Sequence, residues 1–359
     1  MTKSKPYSAN ALKGTGLRGV SPAPMPLGGL GAGNVCLNGY GGLQDFSILN
    51  KPETSSVPNG HGSRDAAFAI LHIKGSRQKS QNYWKAPMPP EKVYNRGTKG
   101  QGHRGGSHEG IPRFKNCRFK GEFPFGSIGL SDHPLVPLKV DILGFNPFIP
   151  LDDVNSGILC AVLEYTFRNT SKRKVDFKFS YHLSHLAEGL APDSQNAVIP
   201  GCSIHFYNTD EIGTEKSGST SLSVIGHRPR IKAMGFRGGW FDSISALWRE
   251  VSGGAVKTNS KTDFNAKNGS GRNSGSILLK NSLNPGEEVT YPVLITWHFP
   301  NCHYLAGRIN NAEITGDGCC DVTKPEWRLS YASKWQDARK VADHVHARAD
   351  KRASIRLNT

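Results

Sequence analysis

The residues best suited to bind a metal are two histidines and a glutamate near the middle of the chain. His182, His185 and Glu188 follow one another at steps of three, which on a helix would place their side chains on one face. The residues before them alternate between apolar and polar types, and this pattern indicates a strand. Because an odd separation along a strand turns two side chains to opposite faces, we expect no metal site here.

The cysteines suggest neither a metal centre nor a disulfide framework. The pairs Cys302-His303 and Cys319-Cys320 lack the two-residue spacing with which two thiolates chelate one tetrahedral ion. The chain has seven cysteines, an odd number, spread over 359 residues, so we expect reduced thiols. We accordingly expect no metal and no cofactor.

A run of glycines near the start, Gly28–Gly33, has the composition of a phosphate-binding loop. Such a loop needs a buried strand before it and a helix after it, so that backbone amides face the phosphate. Here Pro22, Pro24 and Pro26 stand where the strand should be, and residues 38–42 would break the helix. We therefore interpret the run as a tight backbone passage rather than a dinucleotide site.

Glycoside hydrolysis would need two carboxylates about 5 to 10 Å apart, one protonated and one ionised. The candidates are Asp45, Asp132, Asp141, Asp152, Asp153 and Glu164. No spacing pairs any two of them, and Asp152-Asp153 follows a proline and precedes a strand, a common place for turn carboxylates. No Gly-x-Ser-x-Gly elbow is present either. We therefore predict no catalytic residue in this chain.

The elements that would position these residues are mostly strands. Residues 67–73 read as one strand. Residues 159–167 and 175–181 place apolar side chains at every second position around a polar turn at 169–173, which predicts an antiparallel hairpin with one buried face.

A second hairpin is predicted towards the end of the strand-rich region. Residues 276–279 and 289–297 flank the turn Asn284-Pro285-Gly286, and Trp297 continues an inward apolar face. Pro292 predicts an edge or a bulge in the second of these strands. Between the two hairpins, residues 240–251 have helical spacing, and residues 258–276 have the composition of a flexible loop.

One amphipathic helix is predicted near the end, from about Thr323 to Asp350. Thr323 and Glu326 form a capping box around Pro325. The apolar stripe consists of Trp327, Tyr331, Trp335, Ala338, Val341, Ala342 and Val345. Such a stripe needs a covering surface, which is either the preceding domain or a further helical domain. We therefore expect a sandwich domain over residues 1–320, with a long polar loop region near 74–113, and a helical linker over 321–359.

Composition limits the partners. The net charge of +16 favours anionic partners, but the basic residues are scattered and no nucleic-acid reader motif accompanies them, so nucleic acid is not expected. Peripheral contact with anionic lipid stays open. The longest apolar run is too short for a transmembrane helix of about 20 residues, and the start offers no hydrophobic export signal, which favours the cytoplasm.

Several stretches, in order along the chain, resemble the N-terminal domain of glycoside hydrolase family 116, which includes β-glucosidases and non-lysosomal glucosylceramidases. They are residues 26–34, Phe123-Pro124-Phe125 with 134–140, residues 146–150, residues 236–240 and residues 296–301. The resemblance spans about Gly19 to Ala347. It implies a mainly β, two-sheet antiparallel β-sandwich with short helices and a C-terminal linker helix.

The same resemblance implies a partner and a role. In the family, the sandwich packs against a C-terminal catalytic α/α barrel that supplies a nucleophilic Glu and an acid/base Asp. Tyr331 and Asp337-Ala338 resemble the linker into that barrel, on the same or a separate chain. The expected function is then noncatalytic support for the hydrolysis of a β-linked carbohydrate or glycolipid. The alternative is a stand-alone module that binds glycans or polyanions through Trp84, Trp240, Arg104 and Arg113.

Overall fold

The computed structural model describes residues 25–50, 67–74, 81–83, 112–132, 136–186, 194–199, 203–208, 217–233, 250, 274–303 and 326–357. The strands, in chain order, are β1 Met25–Leu27, β2 Asn34–Leu37, β3 Leu43–Ser47, β4 Ala67–Ile73, β5 Gln81–Tyr83, β6 Asn116–Glu122, β7 Phe125–Ser131, β8 Leu138–Phe145, β9 Cys160–Asn169, β10 Val175–Ser184, β11 Ser194–Ile199, β12 Ser203–Asn208, β13 Ser219–Val224, β14 Arg230–Lys232, β15 Ser274–Leu283, β16 Glu288–His298, β17 Asn301–His303 and β18 Glu326–Arg328. Two α-helices, α1 Asp153–Ser156 and α2 Ala338–Leu357, and a 3-10 turn at Ser330–Ser333 complete the described part.

The strands form two facing layers. One layer is an eight-stranded sheet in the order β11-β12-β13-β16-β9-β8-β7-β6. The other contains a five-stranded sheet, β14-β15-β10-β4-β5, and a three-stranded sheet, β1-β2-β3. The described strand pairs are antiparallel. The predicted mainly β sandwich is confirmed.

The core lies between the two layers and is rich in aromatic rings. Phe167 of β9 has its ring centroid 5.1 Å from that of Phe177 and 5.0 Å from that of Phe179, both on β10. Tyr291 of β16 stacks on Phe179 at 5.9 Å. Trp297, also on β16, is fully buried, as predicted. Offset and tilted aromatic pairs of this kind stabilise a core beyond the area they bury.

Both predicted hairpins are wrong. The strands β9 and β10 are consecutive, but β9 pairs with β8 and β16 while β10 pairs with β4 and β15. Likewise, β15 and β16 belong to different sheets. Each connection is therefore an arch that crosses from one layer to the other. An alternation of apolar and polar residues indicates that one face of a strand is buried. This sequence pattern is the same whether two strands pair side by side or face each other across a core.

A single buried asparagine joins the two arches. Asn169 donates from Nδ2 to the carbonyl oxygens of Arg173 at 2.7 Å and Leu283 at 2.9 Å. Its backbone N–H donates to the carbonyl of Glu287, and its own carbonyl accepts from the N–H of Gly286. The side chain and backbone of Asn169 thus tie the ends of both sheets together.

Pro292 does not mark an edge or a bulge, because β16 is a central strand between β13 and β9. Its neighbour on the β9 side is Glu164 in regular register. On the other side, the ladder with β13 ends at Val224, opposite Val293, and the Pro292 carbonyl accepts from the N–H of Ile225. The N and C=O of one residue point to the same side of an antiparallel strand. The missing N–H of Pro292 therefore faces the point where β13 ends.

The C-terminal helix begins later than predicted. Trp327 lies in β18, where it pairs with Cys302 of β17, so the helix does not begin at Thr323. The Asp337 side chain instead accepts a hydrogen bond from the N–H of Lys340 at 2.8 Å, which makes Asp337 the N-cap of α2. The spacing of Trp327, Tyr331 and Trp335 therefore belongs to a strand and a 3-10 turn rather than to a helix.

Three predicted segments fall partly or wholly outside the described residues. Of the predicted helix at 240–251, only Glu250 is described. Of the predicted loop at 258–276, only the last residues are described, and they belong to β15. The polar region near 74–113 is described only in part and includes β5.

Candidate functional site

The strongly exposed large apolar side chains among the described residues are concentrated on three segments. There are seven of them: Leu30, Phe123, Phe125, Phe148, Ile149, Leu151 and Val154. We call this set the apolar surface. Scattered apolar residues on a surface need no explanation, whereas a concentration of this kind marks a site of contact with another molecule.

Hydrogen bonds hold the three segments of the apolar surface side by side. The N–H of Asn146 donates to the Pro124 carbonyl at 2.8 Å, and the rings of Phe123 and Phe148 lie 6.0 Å apart. The N–H of Leu30 donates to the Ser156 carbonyl at 2.6 Å. These bonds place the three segments next to one another at one end of the eight-stranded sheet.

The segment 148–154 is shaped around α1. The Ser156 hydroxyl donates to the carbonyl of Ile149 at 3.0 Å and accepts from its N–H at 2.8 Å. The carboxylate of Asp152 caps α1 by accepting from the Asn155 N–H at 2.9 Å. These bonds bend the chain outward between Ile149 and Asp152, and this bend places Leu151 at its tip.

Leu151 is held in an unusual state. Its φ angle of 65° lies in the left-handed region, which costs a residue with a Cβ about 1–2 kcal/mol, and its side chain is fully exposed. Glycine or asparagine would adopt this backbone more easily. Within the described structure nothing contacts the leucine side chain to offset that cost. A partner that buries Leu151 would offset it.

The glycine run forms the tight backbone passage that its sequence predicted. Gly28 has a φ angle of 134°, and a Cβ there would lie 2.5 Å from the carbonyl oxygen of Gly33. The same Cβ would lie 3.2 Å from the indole of Trp297, whose N–H donates to the carbonyl of Ala32 at 2.6 Å. The passage is therefore packed onto the core tryptophan, and this packing positions Leu30.

The helix α2 packs on the outer face of the eight-stranded sheet through polar contacts. The Ala338 N–H donates to the Ser219 hydroxyl at 3.0 Å, and its carbonyl accepts from the Thr296 hydroxyl at 2.6 Å. Near the middle of the helix, His346 Nε2 and the Ser223 hydroxyl form a hydrogen bond of 2.9 Å. The first half of the helix stripe, which is Ala338, Val341 and Ala342, is buried here. The sandwich itself thus covers this part of the stripe.

The second half of α2 reaches the apolar surface. The Arg348 guanidinium donates to the side-chain carbonyl of Asn155 in α1. Hydrogen bonds from the Asn155 side chain and backbone, together with the charge of Arg348, hold the pKa of the Asp152 carboxyl below its usual range. The middle of α2 and the apolar surface are therefore neighbours on one side of the molecule.

The two candidate metal histidines do not meet. His182 lies between the hydroxyls of Ser180 at 2.9 Å and Ser276 at 2.6 Å, and burial lowers its pKa to about 3, so the ring is neutral. His185 Nε2 instead donates to the carbonyl of Tyr207 at 3.2 Å. Each histidine is bound to partners of its own. Among the described residues no group of three His, Cys, Asp or Glu side chains could hold a metal ion.

The described carboxylates occupy structural or exposed positions. Asp152 caps α1, with Asp153 in its first turn, while Asp45 accepts from the Gln44 amide and Asp132 is buried. The register of β8 and β9 makes Asp141 and Glu164 diagonal neighbours on the outer sheet face, which sequence spacing did not suggest. Asp141 there forms an exposed ion pair with Lys139 at 2.8 Å.

The described cysteines are free thiols. Burial raises the pKa of Cys36 to about 11 and those of Cys117 and Cys160 to about 12, so these thiols are unreactive. Cys302 is half-buried, while Cys319 and Cys320 lie outside the described residues.

The apolar surface escaped the sequence analysis, although a signal was present. Phe123-Pro124-Phe125 and the run 146–150 place large apolar side chains beside prolines, which interrupt or end strands. Apolar residues in turns are candidates for contact with a partner. Of the residues named for the glycan-binding alternative, only Arg113 is described, and it is half-buried.

Comparison with solved structures gives distant matches. A polysaccharide lyase is 10% identical over 78% of this chain and 33% of its own, with a TM-score of 0.32. A proposed aldose 1-epimerase from Escherichia coli K12 is 8% identical over 77% of this chain and 99% of its own, with a TM-score of 0.38. This chain thus spans about a third of the lyase. A comparison with curated proteins gives no match.

Among the described residues no helix is long and apolar enough to cross a membrane.

The chain was also compared with models of protein families. The family model described as beta-glucosidase 2, glycosyl-hydrolase family 116 N-term matches residues 24–352, nearly the whole chain. The chain therefore belongs to the family of glycosyl-hydrolase family 116 N-terminal domains.

Proposed function

We propose that this chain is the noncatalytic N-terminal domain of a β-glucosidase-like glycoside hydrolase and that its apolar surface docks the catalytic α/α barrel. The observation that carries the proposal is the concentration of exposed apolar side chains on three hydrogen-bonded segments. Leu151 adds to it, because its strained and exposed state is explained if a partner buries it. The substrate of the assembled enzyme would be a carbohydrate or glycolipid with a β-linkage.

The position of α2 supports the choice of the barrel as the partner. The matched model describes an N-terminal part of a glycosidase, so a further domain follows it in the family. In this chain α2 runs along the eight-stranded sheet, and Arg348, just past the midpoint of the helix, contacts α1 beside the apolar surface. At the rise of a helix, a domain that continues from α2 would start about 14 Å beyond that contact.

A glycan-binding module is the second candidate, and one observation favours it. The rings of Phe123 and Phe148 are exposed and close together, as in a platform on which a sugar could stack. Four of the five remaining members of the apolar surface, Leu30, Ile149, Leu151 and Val154, are aliphatic and offer a sugar no hydrogen bonds. An apolar protein partner therefore fits the surface better.

The test measures the affinity of the full chain for a separately expressed family 116 catalytic barrel. Leu151→Asn is the key variant, because asparagine tolerates the left-handed backbone but removes the apolar side chain. Burial of a leucine is worth about 1.5–3 kcal/mol, so the dissociation constant should rise about tenfold or more. Glu288→Asn, an exposed position at the opposite end of the eight-stranded sheet, is the control.

The outcomes separate the candidates. Equal affinity for Leu151→Asn and the unchanged chain would refute docking through this surface, and binding of a β-glucan that Phe148→Ser abolishes would favour the glycan module. The isolated chain should hydrolyse no aryl β-glucoside. Turnover by the purified chain that disappears in Asp152→Asn would overturn the noncatalytic assignment.

A further inference from the structure

The outer face of the five-stranded sheet carries a row of cations that the proposed function does not use. Lys178 of β10 lies directly opposite Lys280 of β15 and, on its other side, opposite His72 of β4. Lys74 follows β4 directly, and Arg230 begins β14 on the far side of β15. Like charges that face each other on neighbouring strands destabilise a sheet. The row therefore calls for a compensating anion.

The three lysines of the row have no carboxylate partner within the described part of the chain. Lys74, Lys178 and Lys280 form no ion pair there. Asp176, the acidic residue nearest to them in sequence, accepts a hydrogen bond from the Ser282 hydroxyl instead.

A lysine elsewhere on the same sheet face shows the contrast. Lys232 of β14 is buried and binds both carboxylate oxygens of Glu250 at 2.6 Å. Lys178 is half-buried without such a partner, and its pKa is lowered by burial and by the charges of Lys280, Lys74 and Arg230. Burial and neighbouring positive charges thus both disfavour its ammonium form.

The three lysines line an open cleft. The cleft has a volume of about 430 Å³ and is bounded by Lys74, Lys178 and Lys280, with Asp176 and Ser282 on the same wall. At about 30 Å³ for each water of the bulk liquid, it has room for a small organic molecule in addition to an anion. Lysine ammonium groups are compact point charges that suit phosphate oxygens, and a carboxylate accepts hydrogen bonds from hydroxyls.

We propose that this cleft binds a phosphate monoester, with Lys178 and Lys280 on the phosphoryl oxygens, Lys74 at the rim, and Asp176 accepting from a hydroxyl of the attached group. A sugar phosphate has this combination of a dianion and neighbouring hydroxyls. A flat anionic membrane matches less well, because its headgroups lie in one plane, whereas Lys178 is half-buried in the cleft.

The test uses isothermal titration of the full chain with glucose 6-phosphate, glucose and inorganic phosphate at low salt, and a sedimentation assay with phosphatidylserine vesicles. The expected result is binding of glucose 6-phosphate more tightly than phosphate and no binding of glucose. Lys178→Gln and Lys280→Gln should each weaken binding about tenfold or more, since a hydrogen bond to a charged group is lost. Lys334→Gln removes the same unit charge at an exposed position before α2 and should bind normally.

Two further measurements, thermal stability and salt dependence, test the proposal. The melting temperature of ligand-free Lys178→Gln should not fall, because the substitution relieves repulsion, so its loss of binding cannot be ascribed to unfolding. Rising salt should weaken binding through screening. Absence of phosphate ester binding at millimolar concentration, an equal loss in Lys334→Gln, or vesicle binding that depends on Lys178 without any binding of soluble phosphate would each overturn the proposal.

Discussion

Replacement of Trp297 should give the largest single loss of stability that the described core predicts. The indole is fully buried, packs against the glycine passage at Gly28, and donates its N–H to the Ala32 carbonyl at 2.6 Å. Trp297→Ala would remove the ring and leave a cavity, which costs about 3–5 kcal/mol. Trp297→Phe would keep most of the ring but leave the buried Ala32 carbonyl without its donor, at a cost of about 1–3 kcal/mol.

Urea unfolding followed by circular dichroism measures both effects. With a denaturant slope of about 3 kcal/mol per molar, the alanine variant should shift the midpoint by about 1 to 1.7 M and the phenylalanine variant by about 0.3 to 1 M. Trp335→Phe, at a half-buried position, is the matched control and should shift the midpoint least. A midpoint of Trp297→Phe equal to that of the unchanged chain would show that neither the hydrogen bond nor the packing on the glycine passage contributes to stability.

Three further predictions concern other parts of the molecule. Asn169→Ala should lower the free energy of unfolding by about 1–3 kcal/mol, because the buried Leu283 carbonyl loses the Asn169 amide as its donor, and denaturant unfolding checks it against Asn284→Ala at an exposed turn. The pKa of His182 is about 3 when folded, below its ordinary 6.5, so stability should fall as pH drops through 6.5, and His182→Gln should flatten that profile in thermal melts. The isolated chain should self-associate through its apolar surface, and sedimentation velocity should show less association for Phe148→Ser.

The sequence predicted strands well and their partners poorly. Alternation of apolar residues identified the strands that became β4, β9, β10 and β16, and it placed Trp297 in the core correctly. It could not tell a hairpin from an arch, because both bury one face of each strand. What decides between them is the set of neighbours at the side of each strand, such as β8 beside β9, and these come from distant parts of the chain.

The C-terminal region shows that two short elements can have the same spacing of apolar residues as one longer helix. Trp327, Tyr331 and Trp335 have helical spacing, yet the pairing of Trp327 with Cys302 puts the first of them in a strand. The local capping signal at Thr323 was outweighed by this long-range pairing, and the cap formed at Asp337 instead. Capping boxes indicate where a helix can begin, and tertiary contacts select among the candidates.

The structure shows how the family motifs depend on one another. The motif at residues 296–301 supplies Trp297, which fixes the glycine passage, and the passage presents Leu30 to the apolar surface through the bond from its N–H to Ser156. The motif at 146–150 supplies Phe148, beside Phe123. The buried motif therefore supports the exposed ones, although it contacts no partner itself.

If the apolar surface docks the barrel as proposed, docking should be sensitive to Trp297, which is fully buried in the core. Trp297→Phe should loosen the glycine passage and with it Leu30, so affinity for the barrel should fall even under conditions where the domain is fully folded. Because Leu30 and Leu151 lie on segments joined through Ser156, the double variant Trp297→Phe with Leu151→Asn should lose less affinity than the two single losses combined. Strict additivity in this double-mutant cycle would mean that the core tryptophan stabilises the domain without positioning its docking surface.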